Sequence, residues 1–276
     1  MLTAVRFRID THTPLSNYEF KVRRLFTSIN MPFGTLKTTP NAAPLFAPSY
    51  PQLTNPPDFF IRKLVGFNYR VAASQVHHLV PDVLELEDTP LMSTVILEYE
   101  MSPIASYNEL IHQVEVKYKG ERFMFCIILV LDNEAAVFGG REQFGFPKVL
   151  GKADITSVSG SAFIEGSVER PAGRKVIEVE FLPRASVAIL PLPEPWWLGI
   201  RTIPSLPGTA PSIQELVPMK MTFKAEKVWT GEGHVAFSKS TAFNPWLSLD
   251  ILRYESSYYA LNATAVLEGR NESFQL

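Results

Sequence analysis

The nine residues Phe123-Met124-Phe125-Cys126-Ile127-Ile128-Leu129-Val130-Leu131 are apolar without interruption, with turn-forming residues on either side. The run is far short of the roughly 20 residues that cross a bilayer, and it reads as a buried strand. Lys119-Gly120-Glu121 ahead of it forms a hairpin turn from a strand at residues 113–118. Asp132-Asn133-Glu134 behind it reads the same way and leads into a further strand over residues 135–138. Strand patterns recur at residues 59–70, 95–99, 153–158, 161–168, 175–181, 221–229, 234–237 and 251–267. Ile177-Glu178-Val179-Glu180-Phe181 alternates strictly, as a half-buried strand does. Residues 71–80 have the spacing of a short helix stopped by Pro81, and the prolines from Pro191 to Pro211 punctuate a loop that carries Trp196 and Trp197. This succession is a meander and not a βαβ repeat. The expected fold is therefore β-rich α+β, its sheets long and curved enough to enclose a cavity.

Prolines at 14, 32, 40, 44, 48, 51, 56 and 57 break up residues 1–58, which read as an irregular arm ahead of one domain at 59–276. Phe20, Leu25, Phe26 and Phe46 argue against a fully solvated tail. The chain has 276 residues, 46% hydrophobic and 20% charged, with a formal net charge of −2. That balance gives no electrostatic footprint for nucleic acid or an anionic membrane, so a small-molecule partner is expected. Cys126 is the only cysteine and lies in the buried run, which excludes an intramolecular disulfide and favours a structural role. No apolar run of signal-peptide length opens the chain, and the expected location is the cytoplasm. His12, His77, His78, His112 and His234 are too scattered for metal-ligand spacing. Ser106 stands in no Gly-x-Ser-x-Gly elbow, and Gly139-Gly140 lacks the third glycine of a dinucleotide fingerprint.

The stretch with chemistry in it is Gly139-Gly140-Arg141-Glu142-Gln143-Phe144-Gly145-Phe146-Pro147-Lys148-Val149-Leu150-Gly151. Gly145 permits backbone angles that other residues resist, Pro147 fixes the approach to Lys148, and Phe144 and Phe146 can wall off water. Two readings are open on these residues alone. Lys148 is either a cation after a turn with its amine in solvent, or a desolvated amine. Removing an ammonium from water disfavours its charged form, and a neutral amine is a nucleophile able to form a Schiff base with a ketone.

Over residues 59 to about 270 the chain resembles the acetoacetate decarboxylase family. The resemblance rests on Leu131-Asp132-Asn133-Glu134, Gly140-Arg141-Glu142 and Phe146-Pro147-Lys148 in that order. Further family-like segments are Arg62 ahead of Tyr69-Arg70, Val80-Pro81-Asp82-Val83-Leu84-Glu85, Tyr107-Asn108-Glu109, Ile213-Gln214-Glu215-Leu216 and Val228-Trp229-Thr230-Gly231. The resemblance implies a closed, mostly antiparallel sheet around a pocket, subunits that associate as a homo-oligomer, and no metal or organic cofactor. It implies Lys148 as the Schiff-base lysine, acetoacetate decarboxylase itself being a known example of an activated lysine. Arg62 matches the active-site arginine that orients the substrate carboxylate, and Glu109 matches a proton-transferring glutamate. Tyr107, Phe144, Phe146 and Val149 are the expected pocket residues.

Two departures stand out. The family enzymes that act on acetoacetate carry a second lysine directly after the nucleophile, and here that position is Val149. The second family glutamate falls near Val95 by spacing from Pro90, and Glu98 is the nearest carboxylate. The implied activity is cofactor-independent decarboxylation of a β-keto acid, with the altered motif and added arm pointing to a larger, polyketide-like substrate of secondary metabolism. The alternatives are a Schiff-base aldolase or dehydratase joining a keto acid to an aldehyde, and a non-catalytic small-molecule binding protein.

Overall fold

The protein is described by a computed structural model over residues 33–38, 42–52 and 55–276. The chain divides at Lys37/Thr38, and every strand and helix described lies in the unit Thr38–Leu276. Much of the expected arm, residues 1–32, 39–41 and 53–54, falls outside the described residues, while residues 42–52 form bends and turns without a helix or strand. No helix among the described residues is long and apolar enough to cross a membrane.

Four strands open the fold as an antiparallel meander: β1 (Asp58–Arg70), β2 (Leu91–Met101), β3 (Tyr107–Tyr118) and β4 (Glu121–Leu131). Lys119 and Gly120, with φ of 50° and 81°, make the two-residue turn between β3 and β4, and Tyr118 faces Glu121 across it. Helix α1 (Glu134–Phe144) follows, then the short β5 (Lys148–Leu150), β6 (Lys152–Ser157), β7 (Ile164–Glu169) and β8 (Lys175–Val187). The chain ends with β9 (Trp196–Ile203), β10 (Ile213–Phe237), β11 (Arg253–Gly269) and β12 (Phe274–Gln275).

Hydrogen bonding runs β11-β1-β2-β3-β4-β9-β10, and β10 pairs again with β11, so seven strands close into a barrel. All of its pairings are antiparallel except β4 with β9. The wing β8-β7-β6 extends from β10, and its β6 packs back against β2 and β3. The alternation of strand side chains therefore feeds two cores. Leu97, Ile111, Leu129 and Ala260 belong to the core inside the barrel, and Ile96, Leu110, Val130, Ile155 and Val179 to the core shared by barrel and wing. Both faces of the central parts of β1 to β4 are buried.

Strand β1 contributes to both cores by changing parity partway along. Ile61 pairs with Tyr99 but Lys63 pairs with Glu98, which leaves Arg62 as the extra residue of a β-bulge. Before the bulge Phe59 and Ile61 face the barrel interior, and beyond it Leu64 does so while Val65, Phe67 and Tyr69 face the wing.

Three sequence expectations are corrected. Residues 135–138 are helix and not strand: Asn133 Oδ1 accepts from the Ala136 N–H at 2.9 Å as an N-cap, and Gly145 ends α1 in the left-handed conformation (φ 68°), its N–H bonded to Arg141 O at 3.2 Å. A four-residue apolar run carries no decisive period, so caps decide. Residues 71–80 hold two short 3-10 turns, Ala73–Gln75 and His77–Leu79, in place of one helix. Trp196 and Trp197 sit at the start of β9, paired to Phe123 and Met124, and not in a loop.

Gly145→Ala is expected to lower stability by more than the roughly 1 kcal/mol of a left-handed alanine, because its Cβ would also stand 2.5 Å from Arg201 N; thermal unfolding reads the loss. His112 is completely buried, its Nδ1 2.9 Å from Thr94 Oγ1, and burial lowers its pKa from 6.5 to about 3. Below pH 6.5 the unfolded chain binds a proton that the folded chain refuses, so the stability contributed by neutral His112 is full above 6.5 and lost as pH falls toward 3. At pH 4.5 the loss from this residue is about 2 to 3 kcal/mol, and denaturant melts of wild type and His112→Asn at pH 7 and 4.5 should show a shallower pH dependence in the variant.

Candidate active site

The left-handed Gly145 turns the chain out of α1, and Pro147 sets it into β5 beside β4. Leu129 N donates to Pro147 O at 3.2 Å, and the parallel register puts Lys148 next to Leu129, which itself faces Ile111. Lys148 therefore points into the barrel, where it is 7% exposed. Glu109, opposite Leu97 on β2 and Leu131 on β4, points into the same space and is 2% exposed. Lys148 Nζ stands 2.8 Å from Glu109 Oε1.

Close packing against α1 fixes the lysine. A Cβ at Gly140 would lie 2.5 Å from Lys148 Cδ and 2.6 Å from Cε, so the aliphatic stem runs directly over bare helix backbone. Arg141 Nη1 donates to Lys148 O at 3.3 Å. The amine lies 5.8 Å from the centroid of the Tyr107 ring and 5.6 Å from that of Phe146.

Around the ion pair the chamber is aromatic. Tyr99 and Tyr107 stack with centroids 4.4 Å apart, and both line the chamber beside Glu109. Burial, and then the Glu109 charge, hold both phenols far above their ordinary range, so they stay protonated donors. Phe59, Trp197 and Met221 complete the inner wall. Cys126 lies in the barrel core, where burial pushes its thiol up to about 12 and Gln113 Nε2 donates to Sγ at 3.3 Å, which leaves it no nucleophilic role. Toward solvent, Tyr50 covers α1: its hydroxyl donates to Glu142 Oε2 at 2.8 Å, and its ring lies where a Cβ at Gly139 would come within 3.3 Å. Burial and the Glu142 carboxylate raise the Tyr50 phenol to about 12. Among the described residues no group of three or more His, Cys, Asp or Glu side chains is placed to hold a metal ion.

Lys148, Glu109, Tyr107, Phe144 and Phe146 come together around this cavity. Arg62, Glu98 and Val149 do not. Arg62 sits at the β1 bulge with its side chain 54% exposed, paired with Glu98, and Lys63 Nζ is 3.7 Å from Glu98 on the other side. Because Leu97 faces Glu109, its neighbour Glu98 points through the opposite face of β2, while Val95, two residues back on the interior face, pairs with Ile111 and not with Glu109. Val149, paired to Val130, is turned outward into the core shared with the wing, so a lysine at that position would not touch Lys148. The sequence reading missed Tyr99 and Tyr50. Tyr99 was legible as the inward neighbour of Leu97 two residues on, whereas no local pattern ties Tyr50 to a helix some ninety residues away.

The family profile described as acetoacetate decarboxylase (ADC) matches residues 42–274, which extends the resemblance back across Tyr50. Decarboxylase DEC1 of Cochliobolus heterostrophus is 36% identical over 231 residues, covering 81% of this chain and 90% of that protein. The acetoacetate decarboxylase of Chromobacterium violaceum is 28% identical over 222 residues, covering 78% and 87%. Among solved structures, acetoacetate decarboxylase of Legionella pneumophila superposes with a TM-score of 0.67 at 23% identity, covering 81% and 89%. The enduracididine biosynthesis enzyme MppR superposes at 0.64 with 19% identity, covering 79% and 88%. With a family match over most of its length and a decarboxylase relative covered almost end to end, this chain belongs to the acetoacetate decarboxylase family and is an enzyme of the carboxy-lyase class.

Proposed function

We propose that the protein decarboxylates a β-keto acid through a Schiff base on Lys148. The observation that carries this is the amine itself, buried in an apolar chamber with its Nζ 2.8 Å from the Glu109 carboxylate. A proton passed from Nζ to Glu109 leaves a neutral amine, which attacks the ketone carbon; the carbinolamine then loses water to give a protonated imine. The bond to the carboxyl carbon breaks, its electron pair moves into the imine to form an enamine, and carbon dioxide departs. Glu109, within reach of the same atoms, returns its proton to the enamine carbon, and water hydrolyses the resulting imine to the shortened ketone and free Lys148. The sum is one β-keto carboxylate and one proton converted to ketone and carbon dioxide.

Arg62 enters this scheme differently from the sequence expectation. Its guanidinium is engaged with Glu98 outside the chamber, so the substrate carboxylate meets an apolar wall. Desolvation there disfavours the localised carboxylate charge relative to the dispersed charge of the transition state. Tyr99 and Tyr107, both protonated phenols, line the chamber beside Glu109, and neither Arg62 nor Glu98 reaches it. The similarity to MppR, a structure of which holds the condensation product of pyruvate and imidazole 4-carboxaldehyde, supports a second reading in which the same imine serves an aldol condensation. Carbon dioxide release separates the two.

Borohydride added with a panel of β-keto acids should give a reduced adduct visible by intact mass in wild type and absent in Lys148→Ala. Adduct without carbon dioxide would transfer the assignment to aldol chemistry, and no adduct from any ketone would remove Lys148 as the nucleophile. Glu109→Gln is expected to keep trapping but lose about 10² to 10⁴-fold in turnover, as loss of a general acid-base group does. Gly140→Ala should cut trapping at least tenfold with little change in far-ultraviolet circular dichroism, since the added methyl displaces the lysine stem.

A further inference from the structure

The Lys148 chamber continues outward as a corridor whose walls say what kind of molecule fills it. Helix α1 presents Ala136, Gly139 and Gly140 along it, spaced i, i+3 and i+4 on one helical face, so backbone and methyl groups form that side. Tyr50, Ile104 and Leu267 form the other. Tyr50 turns its hydroxyl away to Glu142, offering the corridor its ring. Among the described lining residues Lys148 is the sole cation, and no arginine or histidine is present. Tyr50 closes one side of the corridor by packing its ring on Gly139, where an added Cβ would already lie 3.3 Å from it. Past Gln143 and Phe144 it opens onto a broad vestibule beside Trp196 and Glu268.

A four-carbon keto acid with its ketone at Lys148 would leave this apolar surface uncovered. We propose that the corridor binds an apolar alkyl tail on the γ-carbon of the β-keto acid, making the natural substrate a medium- or long-chain 3-oxo acid; this rests on the Schiff-base reading above. The lack of a fixed cation suits such a tail, which gains by leaving water at every methylene and asks for no polar partner. The open outer end sets no upper limit on length, so selectivity should rise along the corridor and then level off.

The test is a series from 3-oxobutanoate to 3-oxohexanoate, 3-oxooctanoate and 3-oxodecanoate, measuring carbon dioxide release and borohydride adducts in wild type. In parallel, the matching 2-alkanols, which cannot form an imine, are titrated against the fluorescence of Trp197 and the other tryptophans. The expected result is a rise in kcat/KM of about fourfold per methylene followed by a plateau, with alcohol affinity rising in step. Ala136→Leu, which places a larger side chain in the corridor, should flatten both slopes. Adducts along the whole series with level or falling kcat/KM would overturn the tail site and leave the lysine chemistry standing. Chain-length-dependent alcohol binding without any adduct would support the corridor and overturn the Schiff-base reading. Level alcohol binding without adducts would overturn both.

Discussion

An ion pair in a nearly dry barrel is the constraint around which the rest of the structure is arranged. Lys148 and Glu109 are both withdrawn from water, and each would be costly to bury without the other. Removing one partner of such a pair strands the remaining charge at a cost of about 3 to 5 kcal/mol. The two charges compensate each other across 2.8 Å, and in the proposed reaction a proton crossing that distance makes the lysine a nucleophile. Stability, and reactivity in the proposed reaction, thus depend on the same two side chains, which an aromatic and aliphatic wall shields from water.

Parity decides which residues take part. A strand sends successive side chains to opposite faces, so membership of the chamber is fixed by odd or even position once one residue is placed. Lys148 faces in and Val149 out; Leu97 and Tyr99 face in and Glu98 out. The bulge at Arg62 shifts β1 by one residue and sends its guanidinium to Glu98 rather than to the lysine. Matching residue types along the chain therefore locates Lys148 and Glu109 but misplaces their neighbours, since a single inserted residue reverses everything beyond it.

This explains what was legible beforehand. The strands of the meander, the hairpin at Lys119-Gly120, the buried Cys126 and the convergence of Tyr107, Glu109, Phe146 and Lys148 follow from patterns within a dozen residues or from family-like segments. Helix α1 was hidden because Ala135 to Phe138 is too short to show a period, although its cap at Asn133 and its stop at Gly145 were both present. The surrounding prolines make Trp196 and Trp197 read as loop, whereas pairing with Phe123 and Met124, some seventy residues away, makes them strand. Tyr50 depends wholly on a long-range contact, which no local signal announces.

Strand β10 has a consequence for the molecule as a physical object. Its 25 residues bond first to β9 and β11 within the barrel and then, from Val228 onward, to β8 in the wing. Barrel and wing are thus threaded on one continuous backbone and share the core between them, so neither can open its half of β10 without fraying the other's hydrogen bonds. The two layers should lose their amide protection together as one cooperative unit, and the chamber inherits the rigidity of both.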